Sequence, residues 1–425
     1  MHHVHQKKLS NGLRVLLVPL PDALSVTAAV FVEAGTAYEH KENNGISHFL
    51  EHMCFKGTPS RPRPIDITAA LEGMGASYNA FTGRDMTGYH VKVAPRYAER
   101  AFDIIADIYL HSMVPAHEIE KEKGVIIEEI RMYEDEPRAK VSETLEALLY
   151  GDQPAGWSIA GTPKNVTATT REAFMAYRAA HYVGLKTVVV IAGAIDVHKA
   201  TQWVKKYFTV LPRGTRNENS AATYVHAKPM AQAVHRQLDQ THFALGFHTV
   251  PLSDKRRFAL SLLAKVLGSG MSSRLFQRVR EDMGAAYYIG ATQNFLKTHG
   301  YLEVYGGLNH QKVSEVLTAV SQELRQMKET LVSESELKRV KDYTAGKFML
   351  SLETSDDLAF SYGQDLIETG KIETPSQAIA RMRAVTATDI RRVAREFLTP
   401  ERMNLAIIGP YQSKDAHALL ALLAL

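Results

Sequence analysis

Gly45-Ile46-Ser47-His48-Phe49-Leu50-Glu51-His52-Met53-Cys54-Phe55 is the stretch on which the reading of this chain turns. Asn43, Asn44 and Gly45 can start a helix. Ile46, Phe49, Leu50 and Met53 then recur at i, i+3, i+4 and i+7, which is one apolar helix face. His48, Glu51 and His52 fall together beside that face. Residues four apart stand one turn above the other, so both imidazoles can address one ion. Imidazole suits Zn²⁺, at about 2.0–2.1 Å. Glu51 is placed to take a proton from a water that such an ion polarises. A chance His-x-x-Glu-His is expected at about 0.05 per chain of this composition. The alternative is the polar stripe of a surface helix. A catalytic zinc needs a third protein ligand and an open position, so a carboxylate or His from another element is required.

The remainder of the chain frames this helix. Its 425 residues are 45% hydrophobic and 23% charged, the balance of an ordinary globular protein. That excludes disordered, collagen-like and coiled-coil chains. A net charge of +4 is small for this size and predicts neither nucleic acid nor a membrane surface as partner. A single cysteine, Cys54, forbids an intramolecular disulfide and any multi-cysteine metal site. Cys54 itself reads as a small core residue. The first residues are polar, no window is apolar enough for a signal or a membrane helix, and a cytoplasmic protein is expected. His2, His3 and His5 read as incidental.

Leu13 to Val18, Ser25 to Glu33, Tyr89 to Val93 and Thr187 to Ala192 read as strands. Arg96 to His111 and Ala116 to Asp135 read as helices. The polar stretch after Leu211 predicts a linker at 212–228, between domains at 1–211 and 229–425. The two halves look related. Val166-Thr167-Ala168-Thr169 and Val385-Thr386-Ala387-Thr388, 219 apart, each open a helical stretch leading to a strand. Those strands close at Gly193 and Gly409, 216 apart. The expected class is α+β: two related domains, each a mostly antiparallel sheet packed with helices.

His48-x-x-Glu51-His52 resembles the inverted zinc signature of the inverzincins, the pitrilysin and insulin-degrading-enzyme superfamily of metallopeptidases. The resemblance extends over nearly the whole chain. It implies a third zinc ligand within a later helix, and Glu129 lies 77 positions after His52. It implies a supporting carboxylate at Glu122, two turns before Glu129. The run Met132 to Pro137 is similar to the half-size bacterial and mitochondrial-processing-peptidase-like branch, whereas Glu128, Glu134, Asp135 and Glu136 read as a solvated acidic face. Asn11 to Val15 is similar to the family's first strand. Gly75 to Thr82 is similar to its substrate-binding edge strand, which implies peptide contacts at Asn79, Ala80 and Phe81.

In the second half, Arg280 and Tyr287 resemble the family's Arg and Tyr seven apart, which hydrogen-bond substrate near the scissile bond. Ala285-Ala286 departs from the more usual Leu-Ala, and Tyr288 adjoins Tyr287. Gly268 and Gly270 resemble a shortened glycine-rich loop of the processing peptidase's non-catalytic subunit, but read more simply as a plain turn. The resemblance implies a duplicated half-clamshell and a zinc endopeptidase with one Zn²⁺ per chain. It further implies a homodimer enclosing a chamber for short or unfolded peptides, with composite active sites. A non-catalytic member would have lost ligands or the base, and here His48, Glu51, His52, Glu129, Arg280 and Tyr287 are all present. A dedicated maturation peptidase would share the mechanism and differ in substrate.

Overall fold

A computed structural model describes residues 4–216, 221–224 and 228–425. His2 and His3, and part of the expected linker, lie outside the described residues. The chain forms two compact units. One comprises Met1–Ile130, Ser158–Asn219 and Phe348–Glu373; the other comprises Arg131–Trp157, Ser220–Lys347 and Thr374–Leu425. Neither unit is a continuous half. Each carries one segment from across the 212–228 stretch.

The first unit is built on six strands: β1 (His5–Lys8), β2 (Arg14–Pro19), β3 (Val26–Val32), β4 (Ser77–Thr82), β5 (Thr87–Val93) and β6 (Thr187–Gly193). Their order is β1-β2-β6-β3-β5-β4. Only β2 and β6 run parallel; the other neighbours are antiparallel. β3 and β6 are buried along their whole length, which explains their continuous runs of Val, Ile, Ala and Phe. One face, with Val15, Val30 and Ile191, packs on the helices Ile46–Cys54 and Ala98–His111. The other face, with Leu16, Phe31 and Val190, is covered by the helix Ser355–Thr369 through Leu358, Tyr362 and Leu366.

The second unit repeats this plan with β7 (Met230–His235), β8 (Thr241–His248), β9 (Ala286–Phe295), β10 (Gly300–Leu308) and β11 (Met403–Gly409). The order is β7-β11-β8-β10-β9, in which β7 and β11 are parallel as β2 and β6 are, here at the end of the sheet because no strand stands in the place of β1 among the described residues. One face packs on the helices Arg257–Gly268, Val313–Glu329 and Ala387–Phe397. The other is covered by the helix Pro137–Tyr150 through Val141, Leu145 and Leu149. The matching topology establishes the duplication. It also shows that the halves of the sequence exchange equivalent helices: 137–150 covers the second sheet and 355–369 the first.

The repeat register is 216, three residues away from the Val-Thr-Ala-Thr match. Thr170 and Thr386 hold equivalent places, each capping a helix by accepting from the N–H three residues on, Ala173 at 3.3 Å and Asp389 at 3.1 Å. Val166 to Thr169 instead fall at the end of the short helix Pro163–Ala168, whose counterpart in the second half is Pro375–Ala384, so that four-residue identity is out of register. No helix among the described residues is long and apolar enough to cross a membrane.

Candidate metal centre and active site

The helix Ile46–Cys54 carries the motif. Gly45 sets its entry with φ +97°, and a Cβ there would lie 2.7 Å from the Ala160 carbonyl oxygen, so only glycine fits. No side chain at the cap position holds the first turn. Glu39, six residues upstream and buried, does this work. Its Oε2 accepts from Gly45 N (2.8 Å) and Asn44 Nδ2 (2.9 Å), and its Oε1 from Ser47 N (2.9 Å). Ile46, Phe49, Leu50 and Met53 are at most 1% exposed. With that face sunk in the core, His48 and His52 turn outward, their rings 4.7 Å apart.

The helix Ala116–Asp135 brings two carboxylates to them. His48 Nε2 lies 3.6 Å from Glu129 Oε1, and His52 Nε2 lies 3.5 Å from Glu129 Oε2. One donor atom from each of His48, His52 and Glu129 falls within 4.8 Å of the others. These separations are long for hydrogen bonds. They suit atoms sharing one ion, since tetrahedral ligands at about 2.0–2.1 Å stand roughly 3.3 Å apart. Two imidazoles and one carboxylate are also a donor set that zinc accepts. On geometry and chemistry these residues fit a zinc ion.

Around this cluster the polar atoms are engaged unevenly. Glu122 Oε1 is 2.9 Å from His52 Nδ1, and its Oε2 is 2.6 Å from Lys56 Nζ. His48 Nδ1 is buried without a hydrogen-bond partner among the described residues. Glu51 is buried, and its Oε2 accepts from Thr82 Oγ1 on β4. Burial pushes the Glu51 carboxyl up, against the Thr82 bond and the two imidazoles. A raised carboxyl suits a general base working near neutrality. Burial alone would pull His52 down, but the Glu122 bond and the nearby carboxylates outweigh it and raise it. Burial opposes ionisation of Glu122, yet its bonds to His52 and Lys56 hold it below the ordinary range. The His48 contact does the same for Glu129.

β4 is the outermost strand of its sheet, so one main-chain edge is open. Tyr78 and Ala80 pack toward the core that contains the motif helix. Phe81 points to the opposite face, its ring 6.3 Å from that of Phe31 and 5.8 Å from that of Phe360. Asn79 turns its own Oδ1 onto the Ala80 N–H at 2.9 Å.

Arg280 and Tyr287 belong to the second unit, and the zinc-type cluster to the first. Arg280 sits in a π-helical stretch, Phe276–Asp282, and its Nη1 donates to the Tyr287 carbonyl at 2.8 Å. Tyr287 is 67% exposed. The adjoining Tyr288 is committed elsewhere: its hydroxyl pairs with His242 Nδ1 at 2.8 Å, and Arg138 lies 4.0 Å from its ring centre. Gly268 ends a helix so close to β9 that a Cβ would lie 2.0 Å from Ala291 N, a packing role. Cys54 is fully buried, 3.4 Å from the Tyr89 hydroxyl, and burial pushes its thiol up.

Glu39 and Lys56 carry no motif in the sequence, and Thr82, although it closes the Gly75 to Thr82 match, gives no sign there of its bond to Glu51. Lys56 leaves one trace, standing four residues after His52.

Residues 14–163 match the family described as insulinase (peptidase family M16), and residues 168–343 match the peptidase M16 inactive domain. The chain is 32% identical over 400 residues to an uncharacterized zinc protease of Bacillus subtilis, covering 94% of this chain and 97% of that one. It is 32% identical over 428 residues to an uncharacterized zinc protease of Streptomyces coelicolor, covering 98% and 92%. Among solved structures it is similar to a protease from Helicobacter pylori, with TM-score 0.89 at 21% identity over 96% of this chain and 100% of that one. It is also similar to a chain of Complex III2 from Candida albicans, with TM-score 0.86 at 17% identity over the full length of both. These two likenesses concern the fold alone.

Proposed function

This chain belongs to the M16 (insulinase) peptidase family and is a zinc metallopeptidase, and from that premise we propose that it is an endopeptidase acting on short or unfolded peptides. In this reading His48, His52 and Glu129 hold one zinc per chain. The convergence of their three donor atoms within 4.8 Å is the observation that supports it most. The ion supplies Lewis-acid polarisation of the water and of the scissile carbonyl. Glu51 takes the proton of the attacking water and gives it to the leaving amine. Thr82 keeps one Glu51 oxygen occupied, leaving the other for that transfer. Glu122 orients His52.

The peptide lies as an added strand on the open edge of β4, along Asn79, Ala80 and Phe81. The side chain of Asn79 must leave the Ala80 N–H for this to happen. Arg280 and Tyr287 of the partner subunit donate to the developing oxyanion, so that a homodimer encloses the chamber and its two sites are composite. The location proposed is cytoplasmic. The test is mass spectrometry of the products from an unbiased peptide library, with Glu51→Gln as control. Internal cleavage of short peptides by the zinc-loaded protein alone, absent with the variant, is the result expected. Removal of terminal residues only would contradict an endopeptidase.

A further inference from the structure

We propose that Lys56 is a positioning residue for the metal centre, acting through Glu122 on His52. The inference rests on the reading of His48, His52 and Glu129 as zinc ligands. Lys56 stands two residues beyond the motif helix, and the backbone there is pinned. Phe55 N donates to the His52 carbonyl and Lys56 N to the Met53 carbonyl, both at 3.2 Å. Gly57 follows with φ +130°, where a Cβ would lie 2.5 Å from the Pro62 carbonyl oxygen, and its own carbonyl accepts from Met113 N at 3.0 Å. The ammonium therefore starts from a fixed point at the C-terminal end of the helix, where positive charge is favoured.

From there it reaches a carboxylate that is 5% exposed. Glu122 has two oxygens, and both are taken: one at 2.6 Å from Lys56 Nζ, the other at 2.9 Å from His52 Nδ1. Tying both oxygens fixes the plane of the carboxylate and so the direction of its bond to the imidazole. An Nδ1–H held by that oxygen leaves the Nε2 lone pair of His52 facing Glu129. His48 has no equivalent brace among the described residues, where its Nδ1 lacks a partner. Order in the donor set thus enters through His52. Charge points the same way. Glu51, Glu122 and Glu129 gather around two imidazoles, and among these groups only Lys56 brings a fixed positive charge against their mutual repulsion.

The test is zinc affinity by chelator competition for wild type, K56M, K56R, E122Q and the K56M/E122Q double variant. Circular dichroism of the zinc-free proteins reports the fold. Methionine keeps most of the reach and removes the charge and the donors. K56M is expected to bind zinc about 10–100-fold more weakly, the usual cost of losing a group that orients a ligand. K56R should recover most of that loss. The double variant should bind no more weakly than E122Q alone, because both changes cut one link. If K56M does not fold, K56Q takes its place in the same cycle. Wild-type affinity in K56M, or losses that multiply in the double variant, would overturn the inference. A wild type that binds no zinc would overturn the ligand reading itself.

Discussion

Thr82 ties the edge strand to the base: one side chain on β4 reaches the Glu51 carboxylate from the strand proposed to receive the peptide. Removing that hydroxyl leaves a buried carboxylate free to turn. Thr82→Val should therefore lower kcat about 10-fold, as expected when a general base is mispositioned rather than deleted. KM and zinc content should change little, and Thr82→Ser should restore the rate. Steady-state kinetics with elemental analysis reads all three, and an unchanged kcat in the valine variant would remove Thr82 from the catalytic arrangement. The motif itself was legible because i, i+3, i+4 spacing dictates which side chains share a helix face. Glu39, Lys56 and Thr82 were not, because their parts depend on where loops and a strand are carried in space. Glu39 in particular does at a distance of six residues what a side chain at the cap position normally does.

At the scale of elements, buried strands were readable from their β-branched runs and the long helix from its periodicity. The partner of each covering helix was not. Amphipathic spacing says that Pro137–Tyr150 and Ser355–Thr369 each bury a face, and nothing in it says that each does so on the sheet of the other half. The first of these helices creates a titration that can be measured. On β10, Glu303 is 5% exposed and accepts from Ser142 Oγ of that helix at 2.7 Å. Burial pushes its carboxyl up to about 7, the Ser142 bond opposing and the Glu146 charge adding to the rise. A folded-state value above the unfolded one means that the protonated acid favours folding. Its contribution is complete below about pH 4.5 and is lost as pH rises through about 7. Glu303→Gln should remove this loss and exceed wild type by on the order of 2–3 kcal/mol at pH 8. Urea unfolding of both proteins at pH 5 and pH 8 measures it. An equal gap at the two pH values would contradict the assignment.

For the whole molecule, the duplication is visible in sequence through strands ending at Gly193 and Gly409, whose 216-residue spacing is the repeat register, whereas the 219-residue spacing of the Val-Thr-Ala-Thr match is not. The short helix Pro163–Ala168 in the first half places a look-alike segment just before the true cap. The composite-site proposal belongs to this scale and is tested by complementation. Glu51→Gln and Arg280→Ala homodimers should each be nearly inactive. After subunit exchange at random pairing, half of the dimers are heterodimers, each with one doubly altered and one intact site. Activity should return to about a quarter of wild type by that symmetry. A mixture that stays inactive, with exchange verified by native mass spectrometry, would place Arg280 in the same chain's site.

Four side chains carry the proposed chemistry: His48, His52 and Glu129 as the zinc ligands and Glu51 as the group that moves the proton. The most direct measurement is zinc content and peptide turnover on the same samples of wild type, Glu51→Gln and Glu129→Gln. Glu51→Gln should keep stoichiometric zinc and lose at least about 10²–10⁴-fold in turnover, since an amide cannot accept the proton. Glu129→Gln should lose the zinc. Near-native turnover in Glu51→Gln, or stoichiometric zinc at wild-type affinity in Glu129→Gln, would contradict it.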